Sequence, residues 1–340
     1  MRQDTIRFTS PARNWLQCLP IGNGHIGAML GYDPAHEVIG LNDDTLWSGY
    51  PRNYCKKDFQ ENLRAARELL LQNKRADAEE LVEAHLSNRF TQAYMPMGDL
   101  EICLKAGRVE NFVRSLDLAS GIHSTHYLND GALISCESFV SFPDDVLLHR
   151  LECKTAQDFR LSFTSRLNHS VGYDPSGITV EGVAPSDLII GDVGHFSSEK
   201  NKVVYDEPQR ATHFCVCVKV LTDGSITADQ TGIHIAGATS LLTVLCSATS
   251  FSKGGRYASY AEARALQAVK KGYAACRETH VCDHAALYNR NSLQLGNDED
   301  ESPLEARLNR MRAGTATGND VRLLYQYGRY LLIASSRSGT

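Results

Sequence analysis

Short runs in which apolar and polar residues alternate follow one another from about residue 95 to residue 250, and no helix-length segment separates them. Parallel strands need long crossover connections, which are usually helical, whereas antiparallel strands need only tight turns. The missing crossovers argue against a parallel α/β sheet and predict an antiparallel sandwich. Within this region, Thr222–Gly224 predicts a hairpin turn.

Helical periodicity surrounds this β-rich region. Apolar residues at helical spacing predict a helical insertion at about 57–87 and more helices at about 258–292. The last segment, from residue 323 onward, is apolar on most sides of a helix, and such a helix needs protein around it. We therefore expect it to be helical but poorly covered, with at least two of four side chains substantially exposed: Leu324, Tyr327, Leu331 and Ile333.

Composition limits the partners of the chain. Its 340 residues carry a formal net charge of −5, with acidic and basic side chains interspersed, so no basic face suits a phosphate backbone or a lipid surface. It contains no run of about 18 apolar residues, and its first residues lack the apolar part of a secretion signal. We expect a cytoplasmic protein that binds neither nucleic acid nor membrane.

Cysteines and histidines offer weak metal signals. The 10 cysteines are scattered through apolar runs without a C-x-x-C pair, which is typical of reduced core thiols, and Cys215 and Cys217 fit one face of a buried strand. His280 and His284 lie four apart on a predicted helix, but the nearby Cys282 falls on a different face. Helix packing is therefore favoured over a zinc site.

Glycines and paired carboxylates carry the remaining signals. Gly22–Gly27 matches G-x-G-x-x-G, but Pro34 follows too soon for the helix of a dinucleotide site, so a tight turn between two strands is favoured from Pro20 to Gly27. Asp144 and Asp145 follow a proline and predict another turn. Trp47, one of 2 tryptophans, could stack on a sugar ring, but a buried anchor is favoured.

Seven segments, taken in order, carry a resemblance to a known family. They are LPIGNGHIGAMLGY, GLNDDTLWSGYPRN, YMPMGDLEICL, LDLASGIHSTHYLNDG, ESFVSFPDDVLLHRL, HAALYNRNSLQLG and LLYQYGRYLLIASSRSGT. Together they resemble the N-terminal part of glycoside hydrolase family 95, whose members are mostly α-L-fucosidases. The resemblance covers essentially the whole chain.

The resemblance implies a mainly β fold: an N-terminal β-supersandwich with inserted helices, then a helical linker and the first helix of an incomplete (α/α)6 barrel. The corresponding domains are 1–255 (with the helical insertion at about 57–87), 256–300 for the linker, and 301–340 for the start of a truncated catalytic domain.

The resemblance also implies a function, namely hydrolysis of terminal α-linked L-fucose from oligosaccharides with inversion and without a metal or other cofactor. In the family a glutamic acid protonates the leaving oxygen, and an asparagine helped by an aspartate orients the attacking water. No position of this chain matches those residues, so no catalytic residue is assigned and we expect the chain alone to be inactive. Ser338 departs from the proline common in the family. Asn42, Asp44 and Trp47 are the candidates for substrate binding or for a domain interface.

Two other functions stay open. One is a related (α/α)6 disaccharide phosphorylase, although the motifs NDDTLWSG and MPMGDL fit the fucosidase family better. The other is a non-catalytic carbohydrate-binding β-sandwich, which would have little need of a linker and an apolar C-terminal helix.

Overall fold

A computed structural model describes residues 4–31, 33–52, 57–86, 92–105, 107–189, 191, 200–295 and 300–339. The chain divides into two compact units. The first comprises Met1–Leu46, Met95–Ala184 and Thr212–Thr340, and the second comprises Trp47–Tyr94 and Pro185–Ala211. The three-part division into residues 1–255, 256–300 and 301–340 stays a prediction.

The strands of the first unit are β1 (Thr5–Phe8), β2 (Leu19–Gly22), β3 (Ile26–Leu30), β4 (His36–Asp43), β5 (Gly98–Leu104), β6 (Val109–Asp117), β7 (Ile122–Asn129), β8 (Ala132–Ser141), β9 (Val146–Thr164), β10 (Asn168–Asp174), β11 (Gly177–Val183), β14 (His213–Thr222), β15 (Ser225–Asp229) and β16 (Gly232–Thr249). The strands of the second unit are β12 (Asp187–Ile189) and β13 (Lys202–Val204), which pair with each other.

The first unit is built on one 14-stranded sheet in the order β1-β6-β7-β8-β9-β16-β14-β11-β10. Strands β2, β3, β4 and β5 continue it as a branch that joins β9, and β15 pairs with β16. Neighbouring strands run antiparallel in the described pairings, for example β8 with β9 and β5 with β9. The predicted mainly β, antiparallel fold is therefore confirmed.

Strand β9 makes the sheet curl around a core. Its first half pairs with β8 up to Cys153, and its second half pairs with β5 from Phe159 onward. Alternate residues of β5 are buried, with Leu100 and Ile102 fully inaccessible, as expected for a strand with one face on a core. The inward positions of the curled sheet form the hydrophobic core of this unit.

The predicted hairpin at Thr222–Gly224 is wrong. Strands β14 and β15 on either side of it do not pair with each other, because both pair with β16. The Asp223 carboxylate accepts hydrogen bonds from the backbone amides of Thr239 and Ser240, each at 2.9 Å. Thr222–Gly224 therefore forms a bend that joins β14 to β15, and both strands pair with β16.

Helices α1 (Phe59–Leu71) and α2 (Arg75–Leu81) lie in the second unit, and Val82–Leu86 continues α2 as a π-type turn. The predicted helical insertion at about 57–87 is therefore confirmed within the described residues. The first unit contains α3 (Ser250–Lys253), α4 (Tyr257–Lys271), α5 (Tyr273–Tyr288), α6 (Leu304–Arg312) and α7 (Gly318–Ser335). Helix α4 packs against β14 and β16, and α5 packs against β8 and α7.

The C-terminal helix α7 is buried on one face and exposed on the other. Leu323 and Tyr330 are buried, and the Tyr330 hydroxyl donates to the Pro20 carbonyl at 2.8 Å. The expectation of two or more exposed side chains among the four predicted positions is wrong, because only Leu324 is exposed, at 62%. The other three are half-buried against the core of the same unit. None of the described helices is long and apolar enough to cross a membrane.

Candidate functional site

A tight turn between β2 and β3 presents a histidine to the interior. Gly24 has a φ of +89°, which an L side chain rarely adopts, and the turn closes through Asn23. The Asn23 side-chain oxygen accepts hydrogen bonds from the backbone amides of His25 (3.0 Å) and Ile26 (2.7 Å). The turn predicted within Pro20–Gly27 is confirmed, and its glycine and asparagine fix the direction of the His25 ring.

Two carboxylates hold that ring from opposite nitrogens. His25 Nε2 lies 3.0 Å from Asp43 Oδ2, and His25 Nδ1 lies 2.8 Å from Asp145 Oδ1. Asp43 ends β4 and is fully buried, and Asp145 lies in the predicted turn between β8 and β9 with a φ of +55°. We call His25, Asp43 and Asp145 the His25 cluster.

Neutral donors satisfy the remaining carboxylate oxygens of the cluster. Asp43 accepts hydrogen bonds from the hydroxyls of Thr45 (2.7 Å) and Ser247 (2.8 Å). Asp145 accepts one from the Tyr260 hydroxyl of α4 at 2.9 Å, and another from the side-chain amide of Asn23 at 3.1 Å. The cluster therefore ties the β2–β3 turn to β4, β16, α4 and the β8–β9 turn.

Electrostatics keep every member of the His25 cluster charged. Burial alone would lower the pKa of His25, but the hydrogen bonds and charges of Asp145 and Asp43 outweigh it and raise that pKa to about 10. Burial would raise the pKa values of Asp43 and Asp145, but the bonds to His25 outweigh it and lower both. At neutral pH the imidazolium is a poor general base and neither carboxylate is a general acid. The arrangement is suited to positioning.

The same turn contacts the end of α7. The Gly24 amide donates to the Ala334 carbonyl at 2.8 Å. A Cβ atom on Gly22 would lie 2.7 Å from that carbonyl oxygen, closer than real Cβ atoms approach, so only glycine allows the approach. The turn that holds His25 thus also holds the last turn of α7.

The sequence candidates Asn42, Asp44 and Trp47 fall in different settings. Asn42 is half-buried on β4 and pairs with Gly27. Asp44 follows Asp43 directly, and its pKa is raised, first by burial and then by the neighbouring Asp43 charge. Trp47 lies in the second unit, where its ring centroid is 5.5 Å from that of Tyr94. The favoured buried anchor is wrong for Trp47, since the side chain is 45% exposed.

The His25 cluster is a poor metal site. The donor atoms of His25, Asp43 and Asp44 lie within 4.8 Å of one another. Both nitrogens of His25, however, already contact carboxylates, and its raised pKa keeps the ring protonated, whereas a metal needs a nitrogen lone pair.

The expected packing roles of His280, His284 and the cysteines hold except at Cys282, which is exposed. His280 and His284 are buried on α5; His280 stacks on Phe139 at 4.7 Å and His284 Nε2 lies 2.9 Å from the Leu118 carbonyl oxygen. Of the described cysteines, seven are buried, Cys103 is half-buried and Cys282 is exposed. Cys215 and Cys217 are buried thiols on β14, as predicted.

Sequence reasoning did not bring the His25 cluster together. His25 and Asp43 are separated from Asp145 by more than a hundred residues, and each motif was interpreted locally as a turn or a carboxylate pair. The available signal was that each of three short turn-forming segments, GNGH, NDD and PDD, contains a titratable side chain.

Comparison with known proteins identifies the family. Residues 272–340 match the glycosyl hydrolase family 95 catalytic domain, and residues 6–254 match the glycosyl hydrolase family 65 N-terminal domain. The chain is 28% identical to alpha-L-fucosidase 2 of Arabidopsis thaliana over 98% of its own length and 42% of that protein. Residues 272–340 therefore belong to a glycoside hydrolase family 95 catalytic domain, and the chain as a whole is similar to curated alpha-L-fucosidases. Its first 250 or so residues form an N-terminal domain of the family 65 type.

Further relatives support this family 95 assignment. The chain is 25% identical to probable alpha-fucosidase A of Aspergillus niger over 94% of its length and 41% of that protein. It therefore spans about two fifths of these curated relatives. A solved structure described as a putative kojibiose phosphorylase from human microbiome covers 98% of the chain, and the chain covers 42% of it, with a TM-score of 0.57 at 10% identity. That similarity concerns the fold alone.

Proposed function

We propose that this family 95 chain belongs to an inverting α-L-fucosidase that removes terminal α-linked L-fucose from oligosaccharides. One observation carries the proposal: the match to a protein named alpha-L-fucosidase 2 extends over 98% of the chain. The match to probable alpha-fucosidase A supports the same substrate class. The relatives are more than twice as long as the matched region, so we place the catalytic acid and base in the part that this chain does not span.

The role of this chain in that reaction is positioning. The His25 cluster remains charged, with carboxylate oxygens 3.0 and 2.8 Å from the two ring nitrogens, so it fixes the β2–β3 turn, which also contacts the end of α7. We propose that Asn42, Asp44 and Trp47 contact either substrate or a catalytic domain. Asp44 is the strongest of the three, because a half-buried carboxyl with a raised pKa is characteristic of functional sites.

The experiment compares the 340-residue chain with a longer product of the same gene that includes a complete catalytic domain. The longer protein is expected to hydrolyse an aryl α-L-fucoside, with the β anomer as first product by NMR, whereas the chain alone is expected to show no turnover. Losing either the acid or the base commonly removes a factor of about 10² to 10⁴. Turnover by the chain alone, abolished by a single substitution within it, would contradict this placement.

A disaccharide phosphorylase is the second candidate, favoured by the fold similarity to a putative kojibiose phosphorylase and by the family 65 type of N-terminal domain. The dependence of cleavage on inorganic phosphate distinguishes a phosphorylase from a hydrolase. Cleavage of an α-glucosyl disaccharide that depends on phosphate and yields a sugar phosphate would replace the fucosidase proposal. Fucose binding by the chain, with no activity in the longer protein, would instead indicate a carbohydrate-binding sandwich.

A further inference from the structure

A second set of buried titratable side chains lies inside the curled sheet of the first unit. Glu37 is on β4, Cys136 on β8 and His149 on β9. Cys136 is paired with Leu151 and Ser138 with His149, so Cys136 and His149 occupy neighbouring positions on one face of the β8–β9 pair. All three side chains are buried, and one donor atom from each lies within 4.8 Å of the others.

The contacts within this set are long. His149 Nε2 lies 3.6 Å from Glu37 Oε2, and Cys136 Sγ lies 3.8 Å from the same oxygen. His149 Nδ1 is fixed by the Ser138 hydroxyl at 2.9 Å, whereas Nε2 has no hydrogen-bond partner among the described residues. The contact with Ser138 orients the ring so that Nε2 faces the Glu37 carboxylate.

A buried nitrogen without a hydrogen-bond partner destabilises the fold. A cation between the three donors would give Nε2 a partner. Imidazole nitrogen, thiolate sulfur and carboxylate oxygen are the donor types that zinc uses, and the Ser138 hydroxyl would hold the ring as an outer-shell partner. One thiolate and one carboxylate also offset the two positive charges of the ion, which favours its burial.

We propose that Glu37, Cys136 and His149 bind one divalent cation of the zinc class, which links β4 to β8 and β9. The ion takes the place of the thiol proton of Cys136, which leaves to solvent, and a water or hydroxyl oxygen completes a tetrahedral set. Because the donors are enclosed, the ion enters during folding. The site is structural and takes no part in the proposed hydrolysis.

The test refolds the chain from denaturant with a chelator, with Zn²⁺ or with Co²⁺, and then removes unbound metal. We expect about one equivalent of bound metal per chain and a sulfur-to-cobalt charge-transfer band in the cobalt form. We also expect a midpoint of thermal unfolding about 5 °C or more above that of the chelated form. Wild-type chain that retains no stoichiometric metal and melts at the same temperature in all three preparations would overturn the proposal without any variant.

Matched variants locate the ion. Cys136→Ser should abolish the charge-transfer band and the thermal shift, and Cys217→Ser should retain both, because Cys217 is an equally buried thiol on β14. Glu37→Gln keeps the shape of the side chain and should weaken cobalt binding while the sulfur band persists at high cobalt. A band that survives Cys136→Ser, or that disappears in Cys217→Ser, would overturn the assignment.

Discussion

The first unit holds two clusters of buried titratable side chains that differ in how they are paired. In the His25 cluster the charged atoms meet at 2.8 and 3.0 Å, and further hydroxyl and amide donors satisfy the carboxylates. Among Glu37, Cys136 and His149 the contacts are 3.6 and 3.8 Å, and one nitrogen has no partner among the described residues. Both ring nitrogens of the first cluster lie within 3.0 Å of a carboxylate oxygen, whereas the donors of the second are spaced more widely, as the proposed ion requires.

The backbone explains this difference. His25 and Asp145 lie in turns, where a left-handed residue can direct a side chain toward its partner, as Gly24 and Asp145 do. Glu37, Cys136 and His149 lie within strands, whose ladders fix the Cβ positions. Their closest approaches are therefore limited by the spacing of the strands and by the side-chain rotamers. The side chains held by turns meet at hydrogen-bond distance, whereas the donors on the strands are separated by distances that a bound cation would span.

Removing a carboxylate from the His25 cluster should have the largest effect. Asp43→Ala leaves the buried His25 without one counter-charge and leaves the Ser247 and Thr45 hydroxyls without their acceptor. We expect a loss of about 3–5 kcal/mol in the free energy of unfolding, measured by urea denaturation. Asp44→Ala is the matched control and should change stability by less than about 1 kcal/mol, because the raised pKa of Asp44 shows that its charge is not favoured there. Equal losses in the two variants would mean that the ion pairs do not stabilise this region.

The pH dependence of stability should also separate the His25 cluster from the rest of the core. The pKa of His25 is about 10 in the folded chain and near 6.5 when unfolded, so its contribution is complete below pH 6.5 and is lost as the pH rises toward 10. Between pH 6.5 and about 9 the wild type should lose on the order of 3 kcal/mol more than His25→Gln. Asp43 and Asp145 have lowered pKa values, so their contribution is present above about pH 4 and is lost in stronger acid.

The measurement is urea denaturation at several pH values for both proteins. Buried thiols such as Cys215, whose pKa burial raises to about 12, destabilise both proteins alike in alkali and cancel in the difference. Parallel curves for the wild type and His25→Gln would show that His25 is not held as an imidazolium.

How far the sequence predicts this molecule depends on the range of the interaction. The antiparallel sheet, the β2–β3 turn and the turn at Asp144–Asp145 follow from local chemistry, because glycine, proline and alternation act over a few residues. The hairpin predicted at Thr222–Gly224 failed because the partner strand β16, far along the chain, decides the pairing. Local rules predict that a turn exists but not what the turn connects.

Local sequence rules predict the surroundings of a side chain less well than they predict turns and strands. Asp145 lies in a predicted turn, yet its partner His25 is 120 residues away, and no pattern in either segment reveals the other. Trp47 was expected to be buried because large aromatic residues usually are, but its exposure depends on what surrounds it in space. The candidate site was therefore visible as three polar segments and not as a cluster.

The turn that carries His25 should tolerate a methyl group at one glycine and not at another. In Gly22→Ala the new Cβ would meet the Ala334 carbonyl oxygen at 2.7 Å, whereas in Gly27→Ala the nearest atoms are 4.0 Å away. We expect Gly22→Ala to cost about 1–3 kcal/mol in unfolding free energy and to speed hydrogen exchange at the end of α7. Gly27→Ala should change exchange in α7 little. Cobalt binding at Glu37, Cys136 and His149 should survive in Gly22→Ala, so its loss would mean that the two clusters are not independent.

The smallest expected effect concerns Trp47, which belongs to neither cluster. Because the indole is 45% exposed and its described ring partner is Tyr94, Trp47→Ala should cost only about 1 kcal/mol in the free energy of unfolding, in the range of a single aromatic pair. Trp15→Ala is the matched control, since Trp15 is the other tryptophan and is 53% exposed. In the longer protein, a Trp47→Ala variant that is stable but has a raised KM for an aryl α-L-fucoside, while Trp15→Ala keeps the wild-type KM, would make Trp47 a sugar-stacking residue. A loss of several kcal/mol with an unchanged KM would instead make it part of a domain interface, because an exposed indole costs that much only when another domain covers it.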